Sequence, residues 1–336
     1  MDSKLIDHLM RNKRSPHGEI AVVLFEHCNL SCSFCPQNHN DTTGMESILD
    51  KLPSVRESMY RFNNVGKQLI TLNIQGGELF SDFVPDSVFD DYYEFARIAQ
   101  DYAACMGIPM SVAWGSNLVH TKTERVLELF RRLETDVCEA NLMVSYDPVS
   151  RFNRADLDSF RSNMELYGDH VKAVNITLTR PNIRKFLSGD TEYFDELYEK
   201  YFCAFDFYQL ERNRAVNAPT DQDLQDMFLL LARKYPRSNP IVGLLTQDKN
   251  ESLYQHTENA SETISGFCDT TLSGKIFDDE SVTFQRMEAK WLEDYGCLTC
   301  QYFDRCSLGP IPQNFLQPEY RTLSECWIKT VHEKAR

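Results

Sequence analysis

The chain has 336 residues, 42% of them hydrophobic and 12% aromatic, enough to bury a real core in one large domain with a smaller one attached. Its net charge is −15, from 35 Lys and Arg against 50 Asp and Glu, which disfavours a nonspecific grip on nucleic acid and leaves only a local groove for it. No apolar run reaches the roughly eighteen residues of a membrane span and no secretory hydrophobic stretch precedes the first cysteine, so no membrane is expected and the expected setting is cytoplasmic.

Residues 1–17 form a short polar extension, too small to be a peptide-recognition module. Within 18–215, apolar runs at 20–25, 68–74, 109–114, 141–145, 173–178 and 205–210 predict strands. Helical patterns at 88–106, 123–133, 157–167 and 194–201 lie between them. Alternation of this kind predicts βαβ units and a mostly parallel sheet. Six strands are too few for a closed eight-stranded barrel and point to an open, partial one, whose ligands sit beyond the carboxyl ends of the strands. Residues 216–265 are a connector. Leu224, Met227, Phe228, Leu231 and Ala232 fall at helical spacing within 220–235, and the polar stretch 236–265 reads as a hinge or loop. Cysteines return in 266–336, which predicts a small second domain.

Eleven cysteines are many for a cytoplasmic chain, and an odd number cannot all pair internally. Metal or cluster ligation explains a good part of them; a secreted disulfide scaffold fits neither the length nor the missing signal. Cys28, Cys32 and Cys35 form a C-x3-C-x2-C loop directly after the first strand candidate. Three thiolates on one loop hold three irons of a cubane and leave the fourth open. The competing readings are a zinc site, or cysteines buried as small hydrophobes. Cys105, Cys138 and Cys203 lie in apolar patterns and read as buried thiols.

With Phe34 before the third cysteine and Gly76-Gly77-Glu78 closing the second strand candidate, the chain resembles the radical SAM superfamily over 18–215. The resemblance implies an α/β fold, a partial (β/α)6 TIM-like barrel with a small C-terminal Cys-rich auxiliary cluster domain. It implies that Cys28, Cys32 and Cys35 are the catalytic centre, ligating a [4Fe–4S] cluster that binds S-adenosylmethionine. Gly76, Gly77 and Glu78 would contact the methionine amine, glycine letting the backbone come close. Phe34, Ser116 and Asn117 would border the same cofactor, and Ser145 and Asp147 would meet the ribose hydroxyls; a helix N-cap is an equal reading of those last two. The loop 36–41 reads as solvated or as a substrate contact, Glu211, Arg212 and Arg214 as an anion site or surface pairs, and Tyr146 and Tyr208 as cavity lining.

Cys297, Cys300 and Cys306 form C-x2-C-x5-C, followed by Cys326. This resembles the SPASM and twitch extensions of the same superfamily. Where a full SPASM domain carries further cysteines, Asp279 and Pro310 stand here, and Cys268 is left alone. The resemblance therefore implies one auxiliary [4Fe–4S] cluster held by Cys297, Cys300, Cys306 and Cys326, with a structural zinc ribbon as the competitor. The implied reaction is reductive cleavage of S-adenosylmethionine to a 5′-deoxyadenosyl radical that abstracts hydrogen from a substrate C–H. A peptide or other small amino-acid-bearing molecule is the leading substrate, and a reductant such as flavodoxin or ferredoxin the implied partner. Two alternatives stay open: the same chemistry on a nucleotide or aminoacylated nucleobase, where an extruded base needs only a pocket, and a non-catalytic zinc or iron–sulfur protein.

Overall fold

The computed structural model describes residues 17–35, 37–64, 66–207, 215–246, 261–264, 292–293, 295–303, 306 and 321–335. The strands are β1 (His17–Val23), β2 (Leu69–Gln75), β3 (Met110–Ser116), β4 (Ala140–Ser145), β5 (Val171–Leu178), β6 (Phe202–Phe207) and β7 (Ser261–Ile264). They pair in parallel in the order β6-β5-β4-β3-β2-β1-β7. The first six make the curled partial barrel that the alternation predicts. Their windows shift by a few residues: β1 starts at His17 rather than at 20, and β6 starts at Phe202 rather than at 205. A seventh strand joins the edge at β1, within the stretch read as a hinge or loop.

Two-residue periodicity divides the sheet into two faces. Ile20, Val22, Ile70, Leu72, Ile74, Val112, Trp114, Leu142, Val144, Val174, Ile176 and Phe205 are all fully buried, pointing outward under the helices. The helices are α1 (Leu52–Asn64), α2 (Asp86–Met106), α3 (Thr123–Asp136), α4 (Arg154–Tyr167), α5 (Arg180–Ser188), α6 (Glu192–Lys200), α7 (Asp221–Lys234), α8 (Ile241–Thr246) and α9 (Trp327–Lys334). The sequence reading missed α1, α5, α8 and α9. In α1, Leu52, Val55, Met59 and Phe62 have helical spacing and are buried. In α5 a proline sits in the first turn, where its missing N–H costs nothing, and the Thr179 side chain caps the end. No helix of the protein is long and apolar enough to cross a membrane, among the described residues.

Two thiols depart from expectation. Cys203 is buried, but Cys105 is exposed and Cys138 only half-buried, because Cys105 falls on the solvent face of α2 rather than on its core stripe.

Candidate active site

Parallel pairing in register brings the strand ends level: Val23 lies beside Gln75, Ile74 beside Trp114, Ser116 beside Val144, and Ser145 beside Asn175. The loops that follow β1 to β4 therefore meet at one rim. Cys28, Cys32 and Cys35 stand on the first of them. Its turns are held by Cys35 N–H donating to Cys32 O at 3.1 Å and Cys28 N–H donating to His39 O at 3.0 Å.

Gly76-Gly77-Glu78 continues β2 and runs against the cysteine loop. Gly77 N–H donates to Phe25 O and Glu78 N–H to His27 O, both at 2.9 Å. A Cβ on Gly77 would lie 1.9 Å from His27 O and 2.3 Å from Glu26 O, so glycine is required for this approach. The Glu78 side chain turns inward, fully buried. Its Oε1 accepts from Ser116 Oγ at 2.8 Å and Phe80 N–H at 3.1 Å, and its Oε2 from Asn117 N–H at 2.6 Å. Burial raises its carboxyl to about 6 against those three donors. Asn117 in turn donates to Asn29 Oδ1 at 3.0 Å, with Cys28 Sγ at 3.7 Å from the same nitrogen. Glu78, Ser116 and Asn117 thus form one frame beneath the cysteines, while Ser116 and Asn117 also reach the cavity.

That cavity, about 210 Å³, is lined by Cys28, Cys32, Cys35, Gln37, His39, Asn73, Gln75, Gly76, Gly77, Gly115, Ser116, Asn117, Met143, Ser145, Arg151 and Asn175. Of the two readings of 36–41, Gln37 and His39 favour contact with the cavity, while Asn38 and Asn40 are exposed as a solvated loop would have them. Gln37 Nε2 donates to Gly76 O at 3.1 Å and Asn38 N–H to Glu26 Oε2 at 2.8 Å, so the segment folds back over the site. A larger cavity of about 720 Å³ lies between α4 and α6 and holds none of these residues.

Arg151 is a cavity-lining side chain that the sequence reading did not single out. Its Nε and a terminal nitrogen both donate to Asp147 Oδ2 at 3.2 Å, and its guanidinium lies 5.3 Å from the centre of the Phe34 ring. Asp147 also accepts from Asn182 Nδ2 and from Thr177 N–H at 3.3 Å. Fully buried and absent from the cavity wall, Asp147 holds Arg151 in place. Burial raises its carboxyl, and the guanidinium pulls it back. Neither Ser145 nor Asp147 caps α4; Asn153 does, in a capping box with Asp156. Ser145 lines the cavity. Tyr146 does not: it packs in the core with Phe152, Phe160, Tyr193 and Phe194. Tyr208, Glu211, Arg212, Arg214 and Cys268 lie outside the described residues.

The four cysteines of the second set lie within electrostatic range of one another around Cys297. Cys297 feels the charges of Cys326, Cys306 and Cys300, which with burial push its thiol up to about 12. Tyr302 stacks on His332 at 4.8 Å, tying the loop of Cys297 and Cys300 to α9, whose N-cap is Cys326.

Among the described residues no three His, Cys, Asp or Glu side chains close around a single ion. The donor set at the rim is all sulfur: three thiols on one loop beside an open backbone edge, with Arg151 opposite. Burial pushes Cys28 up to about 12 and Cys32 up to about 11. The thiolates that ligation requires therefore form with a positively charged centre rather than before it. Donor type and number fit an iron–sulfur cluster with one open iron.

No family model and no curated protein matches the chain. Solved structures do. Native anSMEcpe with bound AdoMet superposes with a TM-score of 0.64 at 12% identity, over 94% of this chain and 95% of that one. Native anSMEcpe with bound AdoMet and Cp18Cys peptide gives 0.63 at 12%, over 95% and 96%. SuiB of Streptococcus suis bound to S-adenosylmethionine gives 0.50 at 13%, over 96% and 80%. At these identities the likeness is one of fold, and the chain has the partial-barrel fold of the radical SAM enzymes.

Proposed function

We propose that this chain is a radical SAM enzyme acting on a peptide or another amino-acid-bearing substrate. The observation that carries it is the convergence of Cys28, Cys32 and Cys35 with the Gly76-Gly77 backbone around one cavity, at the end of the sheet where such folds bind ligands. Cys28, Cys32 and Cys35 would hold a [4Fe–4S] cluster. The Gly76–Gly77 edge, Ser116, Asn117, Ser145 and Arg151 would border S-adenosylmethionine, with Phe34 and Glu78 supporting them from behind. Bound there, the reduced cluster and S-adenosylmethionine supply a 5′-deoxyadenosyl radical able to take hydrogen from an unactivated C–H.

The chain's own contribution is placement. Asp147 orients Arg151, whose guanidinium sets a positive charge beside Cys28 and Cys32 and is a match for a carboxylate. The Glu78 frame fixes Asn117 against the cysteine loop. Gln37 and His39 stand at the rim, where with a cofactor bound they would limit the access of water. Cys297, Cys300, Cys306 and Cys326 would hold one auxiliary [4Fe–4S] cluster, complete with four thiolates and so suited to electron transfer or to structure. Flavodoxin or ferredoxin is the fitting electron source. The peptide reading is supported by the fold shared with a protein solved with a peptide bound.

Anaerobic reconstitution tests the assignment. It predicts about four irons per site and 5′-deoxyadenosine release after reduction. Cys28→Ala abolishes release, and Cys300→Ala retains some of it. Bound zinc without cleavage would overturn the reading.

A further inference from the structure

Opposite the helix-covered face, the inner face of the sheet carries small and polar residues. Ala21, Asn73, Ala113 and Asn141 stand side by side across β1 to β4, and on β5 and β6 Asn175 pairs with Ala204 and Thr177 with Asp206. A filled barrel carries bulky branched residues in such layers; alanine and asparagine leave room.

Two of these side chains have acceptor oxygens with nothing to accept. Asn73 and Asn141 are 4% and 9% exposed, yet the Oδ1 of each has no hydrogen-bond partner among the described residues. Asn73 donates its amide to Glu19 Oε1 at 3.1 Å, and it lines the cavity beside the three cysteines. Buried amide oxygens are otherwise nearly always paired.

Asp206 completes the set. Cys203 and Phe205 point out under the helices, so Asp206 points in. The charges that act on it are those of Asp147 and Glu19. Both are acidic, and Glu19 reaches it from the far edge of the six-stranded curl. Asp147 is paired with Arg151 and Glu19 with Asn73. Asp206 receives no hydrogen bond and no ion pair from the described residues. Burial, with those two neighbours, lifts its carboxyl to about 6. Asp206 is half-buried, so its carboxylate is open to a cation or a donor that enters the lumen.

We propose that this lumen is the substrate subsite for a positively charged nitrogen: a primary ammonium group on an amino acid or peptide side chain seats against Asp206, with the Oδ1 of Asn73 as a further acceptor. An ammonium group brings three donors and a positive charge to a wall that offers acceptors and negative charge. A carboxylate or phosphate in the same place meets repulsion. The inference rests on the reading that the substrate bears an amino acid, and it names which chemical handle is recognised.

The reconstituted full chain with S-adenosylmethionine is titrated calorimetrically with Ac-Gly-Lys-Gly-NH2, with its Nε-acetylated form and with Ac-Gly-Glu-Gly-NH2. The lysine peptide should bind about tenfold or more tighter than the acetylated one, the glutamate peptide should not bind, and Asp206→Asn should erase the preference. Equal affinities, no binding of any peptide, or a preference that survives in Asp206→Asn overturns the proposal. The thermal midpoint of unliganded Asp206→Asn should hold or rise, because an unpartnered carboxylate is lost; a fall reveals a structural partner and also overturns it. 5′-Deoxyadenosine release from the same samples without peptide separates the two readings. Release with no lysine preference sinks the subsite alone. A lysine preference with no release supports the subsite and counts against the reaction.

Discussion

Thr322 donates both its backbone N–H, at 2.8 Å, and its hydroxyl, at 2.6 Å, to Oδ1 of Asp221, while Leu323 N–H donates to Oδ2 at 2.9 Å. Asp221 opens α7 and is 5% exposed. One buried carboxylate thus anchors the strand of chain that leads to Cys326, and Trp327 then packs on Phe228 of α7 with ring centres 4.9 Å apart.

Asp221→Ala should therefore release the C-terminal segment while sparing the rim. Hydrogen bonds to a charged group are worth about 1.5–3 kcal/mol each, so local opening should be easy. The expected outcome is faster limited proteolysis near 321–335 and loss of the iron assigned to the second cysteine set, with the first set still loading. Unchanged proteolysis would remove Asp221 from this role.

Gly77→Ala and Gly115→Ala should behave differently although both glycines line the cavity. At Gly77 a methyl collides with two carbonyl oxygens of the cysteine loop. Overpacking of this kind costs about 1–3 kcal/mol or more, and the loop must move. At Gly115 the nearest atom to an added Cβ is Ile74 O at 3.5 Å, an ordinary contact. Iron content and thermal midpoint should fall for Gly77→Ala and stay near wild type for Gly115→Ala.

Breaking the Arg151–Asp147 pair from one side should cost about 3–5 kcal/mol, because it strands a buried charge. Arg151→Gln and Asp147→Asn should each lower urea stability by that order. The double variant should recover much of the loss, a coupling that a double-mutant cycle reads directly. Strict additivity would show that the two side chains act apart.

His120 should make the fold acid-sensitive. Burial lowers its pKa from 6.5 to about 4, with Asp82 opposing; both ring nitrogens are unpaired among the described residues, and the ring stacks on Tyr167 at 5.8 Å. Between those two values the unfolded chain binds the proton and the folded chain does not. Stability from this residue is thus complete above pH 6.5 and lost as the pH falls toward 4, by about 3 kcal/mol. His120→Phe keeps the ring contact and should flatten that part of the stability–pH curve. An unchanged slope would place the acid sensitivity elsewhere.

Much of this was legible along the chain. Cys28, Cys32, Cys35 and Gly76-Gly77 sit within short windows, and the six strands announce themselves by apolar runs, because both signals are set by near neighbours. The grouping of Cys326 with Cys297, Cys300 and Cys306 came only from the resemblance to SPASM and twitch extensions. The polarity of the loop 37–39 left two readings open; only the carbonyl of Gly76 and the carboxylate of Glu26, which hold it against the site, decide between them. Tyr146 was misread for the opposite reason, since a tyrosine beside a strand end fits either a cavity or a core.

Sequence by itself determined which chemistry the rim can hold and which strands carry it, through residue type and periodicity. Tertiary structure alone decided that Arg151 faces the cysteines, that Asp147 serves Arg151, and that Asp221 secures Thr322. It also decided that the charges of Asp147 and Glu19 both act on Asp206. Each of these depends on strand register and sheet curl, which bring together residues far apart in the chain. No local pattern encodes such meetings, because their geometry is settled when the sheet closes.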